Sequence, residues 1–74
     1  MDVYGRIATT LLKLAEESDG KMVINQRLTH RDLASMVGSS REMVSRILKD
    51  LTRGGYLTIE RNCITINKTL PAHW

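Results

Sequence analysis

Thr29-His30-Arg31-Asp32-Leu33-Ala34-Ser35-Met36-Val37-Gly38-Ser39-Ser40-Arg41-Glu42-Met43-Val44-Ser45-Arg46-Ile47-Leu48-Lys49 is the stretch on which the fold turns. Threonine followed three residues later by an acid opens a helix, because the hydroxyl accepts from a free backbone N–H and the carboxylate reaches back. Leu33, Met36 and Val37 supply the apolar positions of that helix, and Gly38 ends it. Ser39-Ser40-Arg41-Glu42 then repeats the signal as a full Ser-x-x-Glu box. The helix it opens is expected to run from about residue 39 to 53, with Val44, Ile47, Leu48 and Leu51 on one stripe. Gly54-Gly55 stops it. Two short helices joined by a tight glycine turn make a helix-turn-helix.

Outward from this stretch the other elements fall into place. Downstream, Tyr56-Leu57-Thr58-Ile59 and Cys63-Ile64-Thr65-Ile66 alternate and are rich in β-branched and aromatic residues. They predict a hairpin turning at Glu60-Arg61-Asn62, a wing beside the third helix. Residues 69–74 read as a loose tail. Upstream, Val3, Ile7, Ala8, Leu11, Leu14 and Ala15 recur at helical spacing, which predicts a helix over residues 2–17. Ser18-Asp19-Gly20 reads as its stop, and residues 21–28 as a short strand. The order is helix, strand, helix, helix, hairpin. This is an α+β winged helix-turn-helix with three helices and a small antiparallel sheet, and 74 residues suffice for one such domain, 1–74.

Composition bounds the chemistry. No twenty-residue apolar run exists to span a bilayer, and no basic-then-apolar leader opens the chain. A single cysteine, Cys63, allows no intrachain disulfide, which fits a reducing cytoplasm. One cysteine and two histidines fall short of a four-ligand zinc site built from those types alone, so no metal is expected. The net charge of +3 is unevenly placed. Residues 1–26 hold three cations against four acids, whereas residues 27–61 hold seven cations against four. An excess so placed is what a polyanion-binding face requires, and an ordinary solvated surface accounts for it equally.

The third helix narrows the choice. At 100° per residue Glu42, Ser45, Arg46, Lys49 and Arg53 point away from the apolar stripe, with Arg41 in the uncovered first turn. An arginine fork matches O6 and N7 of guanine, and a carboxylate accepts from the amino group of cytosine. Arg41, Glu42 and Arg46 are therefore candidate base readers. Glu42 and Arg46 also have the i, i+4 spacing of a local ion pair, and Glu42 can serve as the cap partner of Ser39. Thr29, His30, Ser39, Ser40, Ser45 and Lys49 are candidate phosphate contacts, with pure capping the competing role of Thr29 and Ser39. Arg61 and Asn62 at the wing tip are candidate contacts to backbone or minor groove, or simply a solvated turn.

Other classes of function find less support. A winged helix serving protein contact would show an exposed apolar patch on the third helix. An enzyme built on His30 or Cys63 lacks any visible partner set, so no enzymatic activity is expected. RNA is disfavoured because the A-form major groove excludes side chains, and only Tyr4, Tyr56 and Trp74 could stack bases.

Asp2-Val3-Tyr4-Gly5-Arg6-Ile7-Ala8 with Leu11-Leu12, and Leu33 through Lys49, resemble the first helix and the helix-turn-helix of the C-terminal domain in Crp/Fnr-type bacterial regulators. The likeness extends to about Asn67. It implies a transcription regulator whose full-length form is a dimer with an N-terminal β-roll sensor, often for a cyclic nucleotide. Neither the sensor nor the dimerisation helix lies in these residues, so the chain is expected to be the C-terminal domain alone, monomeric and without a cofactor of its own. Double-stranded DNA is the implied partner. Arg41, Glu42 and Arg46 match the base-reading positions of the cyclic-AMP-receptor branch, which recognises TGTGA-like half-sites in an inverted repeat. The fumarate-and-nitrate branch, lacking arginine at the first of these, is the poorer match. The segment between Ala15 and Thr29 is shorter than in the receptor branch, where it touches RNA polymerase. The polymerase thus stays a candidate partner with no patch assigned over residues 16–20.

Overall fold

The computed structural model describes residues 2–71. Asp2 opens α1 (Val3–Leu14) by accepting from the Gly5 N–H at 2.7 Å. The helix buries Tyr4, Ile7 and Leu11. It ends three residues earlier than its apolar spacing predicts. Ala15 turns extended and donates its N–H to Leu11 O, and Glu16–Ser18 becomes a strand, β1. Asp19 and Gly20, both at positive φ, turn the chain into β2 (Lys21–Ile24). The expected helix stop is thus the two-residue turn of a hairpin, the geometry that Asp-Gly favours because its twist matches the strands. The expected strand over residues 21–28 ends at Ile24.

α2 (His30–Val37) starts from the expected box: Thr29 Oγ1 accepts from Asp32 N–H at 3.0 Å, and Asp32 Oδ2 accepts from Thr29 N–H at 2.9 Å. Its buried face is Leu33, Ala34 and Val37, and Met36, one of the expected apolar positions, is 53% exposed. Gly38, at φ 70° and ψ 41°, closes the helix in the left-handed region. α3 (Arg41–Arg53) buries all four expected residues, Val44, Ile47, Leu48 and Leu51. Its cap differs. Ser40, not Ser39, accepts from Met43 N–H at 3.2 Å, while Ser39 donates its own N–H to Ala34 O within the turn. The expected Ser39–Glu42 box is therefore not formed.

Past Gly54 and Gly55, β3 (Leu57–Glu60) and β4 (Cys63–Ile66) form the wing hairpin around Arg61 and Asn62. β4 pairs on its other side with β2, giving one antiparallel sheet in the order β1-β2-β4-β3. Ile24, Leu57, Ile64 and Ile66 carry the sheet's share of a single core whose other face is the three helices. No polar or charged residue is buried among those described, so the core carries no desolvation penalty of that kind. The tail is not loose as far as residue 71. Leu70 packs against the core, and Tyr4 donates its hydroxyl to Pro71 O at 2.6 Å. Burial is the main reason the Tyr4 phenol is held above its ordinary pKa. The remainder of that tail lies outside the described residues.

Candidate nucleic-acid interface

The placement of the candidates on α2 and α3 follows from how the two helices pack. The two helices bury Leu33, Ala34, Val37, Val44, Ile47 and Leu48 in the core, so the opposite side of α3 is driven to solvent. Arg41, Glu42, Arg46, Lys49 and Arg53 are exposed on it. Glu42 and Arg46 share a shallow concavity with Ser40 and Met43. No salt bridge joins Glu42 to Arg46 among the described residues, so neither group is tied up locally. Met43, 39% exposed, adds the one large apolar side chain on this rim.

A second concavity lies where the start of α2 faces the first turns of α3, lined by Thr29, His30, Arg31, Arg41 and Ser45. Here two candidates are joined: His30 Nδ1 lies 2.6 Å from Ser45 Oγ. Lys49 lines an adjoining hollow with His30, Ser45, Arg53 and Ile59 of β3. Thr29 and Ser40 use their oxygens as cap acceptors, yet each hydroxyl keeps its proton free to donate to an anion. Ser39 is half-buried in the turn, and Arg61 and Asn62 are exposed at the wing tip.

Arg31 is the residue that sequence reading misses. It stands beside His30 and Arg41, and its position two places after a capping threonine was the available signal. Arg6 is the other. From α1 it donates through Nη1 to Val37 O at 3.1 Å, holding the C-terminal end of α2 where it meets the turn. The acid of the α2 cap is itself tuned. The Thr29 backbone N–H, then the Thr29 hydroxyl, hold the Asp32 carboxyl below its usual pKa, and Arg27 and Arg31 add to this. Asp32 is thus an anion fixed on the cap. Cys63 is half-buried, 3.9 Å from Thr65 Oγ1 on its own strand, so it and His30 do not form a catalytic pair. The described residues hold no cluster of three His, Cys, Asp or Glu side chains able to bind a metal, and no helix long and apolar enough to cross a membrane.

Comparison with known proteins agrees with this geometry. The model of the Crp-like helix-turn-helix domain matches residues 5–69. A CRP-like cAMP-activated global transcriptional regulator of Mycobacterium tuberculosis is 34% identical over 70 residues, covering 89% of this chain and 31% of that protein. The cAMP-activated global transcriptional regulator CRP of Salmonella typhimurium is 36% identical over 72 residues, 93% of this chain and 34% of the relative. Among solved structures, a CRP/FNR-family transcriptional regulator from Thermus thermophilus superposes with a TM-score of 0.72 at 33% identity, over 92% of this chain and 37% of that one. The chain thus spans about a third of the length of the proteins it matches. With three helices, a winged four-stranded sheet and that match, the chain belongs to the Crp-like helix-turn-helix domain family.

Proposed function

We propose that this chain is a sequence-specific double-stranded DNA-binding module of a bacterial transcription regulator, and not an enzyme. The observation that carries the reading is the two-sided character of α3: Val44, Ile47, Leu48 and Leu51 buried on one side, Arg41, Glu42, Arg46 and Lys49 exposed on the other. A helix so divided presents donors and one acceptor to a major groove while the core holds its back rigid. Arg41, Glu42 and Arg46 read the bases of a TGTGA-like half-site. Thr29, His30, Ser39, Ser40, Ser45 and Lys49 hold the flanking phosphates, and Arg61 and Asn62 approach the backbone from the wing. In the full-length protein a sensor domain and a dimerisation helix complete the regulator, and cAMP activation of the named relatives supports a cyclic nucleotide as effector. RNA polymerase is the second partner of that assembly, which acts in the cytoplasm. Alone, the domain is a monomer that binds half-sites weakly.

Fluorescence anisotropy tests this with labelled duplexes bearing a TGTGA-type inverted repeat against a scrambled control, over a salt series. Tighter binding to the repeat, weakening as salt rises, is the expected result. Arg41→Ala should cost about 1–3 kcal/mol on the repeat alone, and Lys49→Ala should weaken both duplexes and flatten the salt slope by about one. Equal affinity for repeat and scramble would remove the half-site assignment. No binding at low salt would remove DNA as the partner.

A further inference from the structure

The contact between His30 and Ser45 joins two elements. His30 is the first residue of α2, Ser45 lies on the flank of α3, and 2.6 Å separates Nδ1 from Oγ. The imidazole is half-buried, and among the described residues it makes no other hydrogen bond, so Nε2 is unoccupied. The two hollows that the ring shares are lined by cations. Arg31 comes from α2, and Arg41, Lys49 and Arg53 come from α3. β3 contributes only the apolar Ile59 to them. The nearest acid in sequence on α2, Asp32, is engaged by Thr29, and Arg6 of α1 sits at the far end of α2 on Val37 O.

A histidine in this setting has two states with different uses. The neutral ring has one N–H, so it meets Ser45 and an anion together only when Ser45 donates to Nδ1 and Nε2 carries the proton. The imidazolium donates from both nitrogens: Nδ1–H to Ser45 Oγ, and Nε2–H to whatever faces the hollow. In free protein a positive ring joins four other cations. A phosphate oxygen entering that field reverses the sign of the local interaction, and an opposite charge close to the ring favours its charged form.

We propose that Ser45 is a positioning residue that turns His30 into a proton-linked phosphate clamp: it holds Nδ1, directs Nε2 to a DNA phosphate, and lets binding draw one proton from solvent onto the ring. This rests on the DNA-binding reading above and adds to it a dependence on pH. Affinity falls as pH rises through the range in which histidines in general change charge, between about 5 and about 8. The neutral ring still donates to the phosphate but no longer pairs with its charge, and losing one exposed ion pair makes that fall about two- to fivefold per half-site.

The experiment is anisotropy of a labelled duplex carrying one TGTGA-type half-site at low salt, titrated across that pH range. It uses wild type, His30→Arg, Ser45→Ala, Ser45→Thr and, as a control for the only other histidine, His73→Gln. Wild type and His73→Gln should lose affinity with pH. His30→Arg should bind at every pH with a flat profile, Ser45→Ala should weaken binding and shrink the pH effect, and Ser45→Thr should restore both. Circular dichroism confirms that each variant is folded before it is scored. A flat profile in wild type, or a slope that survives in His30→Arg, overturns the clamp while leaving DNA binding intact. Absence of binding at every pH refutes the DNA reading, and the clamp with it.

Discussion

Gly38→Ala isolates the turn that sets α3 against α2. Gly38 sits at φ 70° and ψ 41°, where an L-residue pays about 1–2 kcal/mol for its Cβ against the following carbonyl. Alanine also has fewer unfolded conformations than glycine, which returns about 0.4–1 kcal/mol. The remaining question is space. A Cβ at this position would lie 3.8 Å from Arg6 Nη1, an ordinary contact, so no steric penalty is added. The net loss is therefore about 1 kcal/mol, a fall in Tm of about 4–8 °C for a domain of this size. Urea unfolding followed by circular dichroism reads it, with Gly20→Ala as an internal standard. Gly20 has φ 81° and nothing within 4 Å of its added Cβ, so it should lose a similar amount. Gly38→Asn should recover part of the loss, because asparagine tolerates the left-handed region. A neutral Gly38→Ala, or one costing more than about 3 kcal/mol, would refute a purely conformational role for this glycine.

Three further perturbations follow from particular contacts. Ser40→Ala removes the cap of α3 and should cost about 1 kcal/mol in urea unfolding, whereas Ser39→Ala should leave that cap unaffected. The reverse ranking would restore Ser39 as the cap. Asp32 has its pKa depressed by the Thr29 N–H and hydroxyl, so its stabilisation is present above the unfolded value of 3.8 and is lost as pH falls through the lower folded value. Asp32→Asn should flatten that acid limb of a stability–pH curve, and an unchanged limb would place the acid sensitivity elsewhere. Tyr4→Phe removes the bond to Pro71 O and should cost about 1 kcal/mol, with faster amide exchange around Leu70. Unaltered exchange there would mean that the apolar packing of Leu70 alone holds the segment.

The helix-turn-helix was legible in the sequence because each of its parts has a local cause. Thr29 and Asp32 are three residues apart, Gly38 supplies the left-handed turn, and the α3 stripe repeats at the helical period. What the sequence hid has equally physical reasons. β1 is Glu16-Glu17-Ser18, all exposed, with no alternation to announce a strand, and backbone pairing to β2 defines it. Asp19-Gly20 suits a helix stop and a hairpin turn alike, and only the partner strand decides between them. Of two adjacent serines, the cap is Ser40, whose Oγ accepts from Met43 N–H, while Ser39 belongs to the turn with its N–H on Ala34 O. The Tyr4 hydroxyl donates to a carbonyl 67 residues away, which no local pattern encodes. At the site, residue types were legible and their grouping was not. The meeting of His30 with Ser45 and the entry of Arg31 depend on the angle between two helices.

The position of β4 between β2 and β3 governs how the chain is made as well as how it is held. Met22 pairs with Ile66, and Ile24 with Ile64, so the middle of the sheet is assembled from opposite ends of the domain. Contacts of such long sequence separation are slow to form, since the loop must close before they repay it. On a translating ribosome α1, the β1–β2 hairpin and both helices of the helix-turn-helix emerge before the strand that joins them. Ile24 and Leu57 then lack the neighbours Ile64 and Ile66 provide, and the nascent domain displays its apolar interior until β4 arrives. A chain terminated before residue 63 is accordingly expected to be a substrate for chaperones and proteases, not a shortened domain.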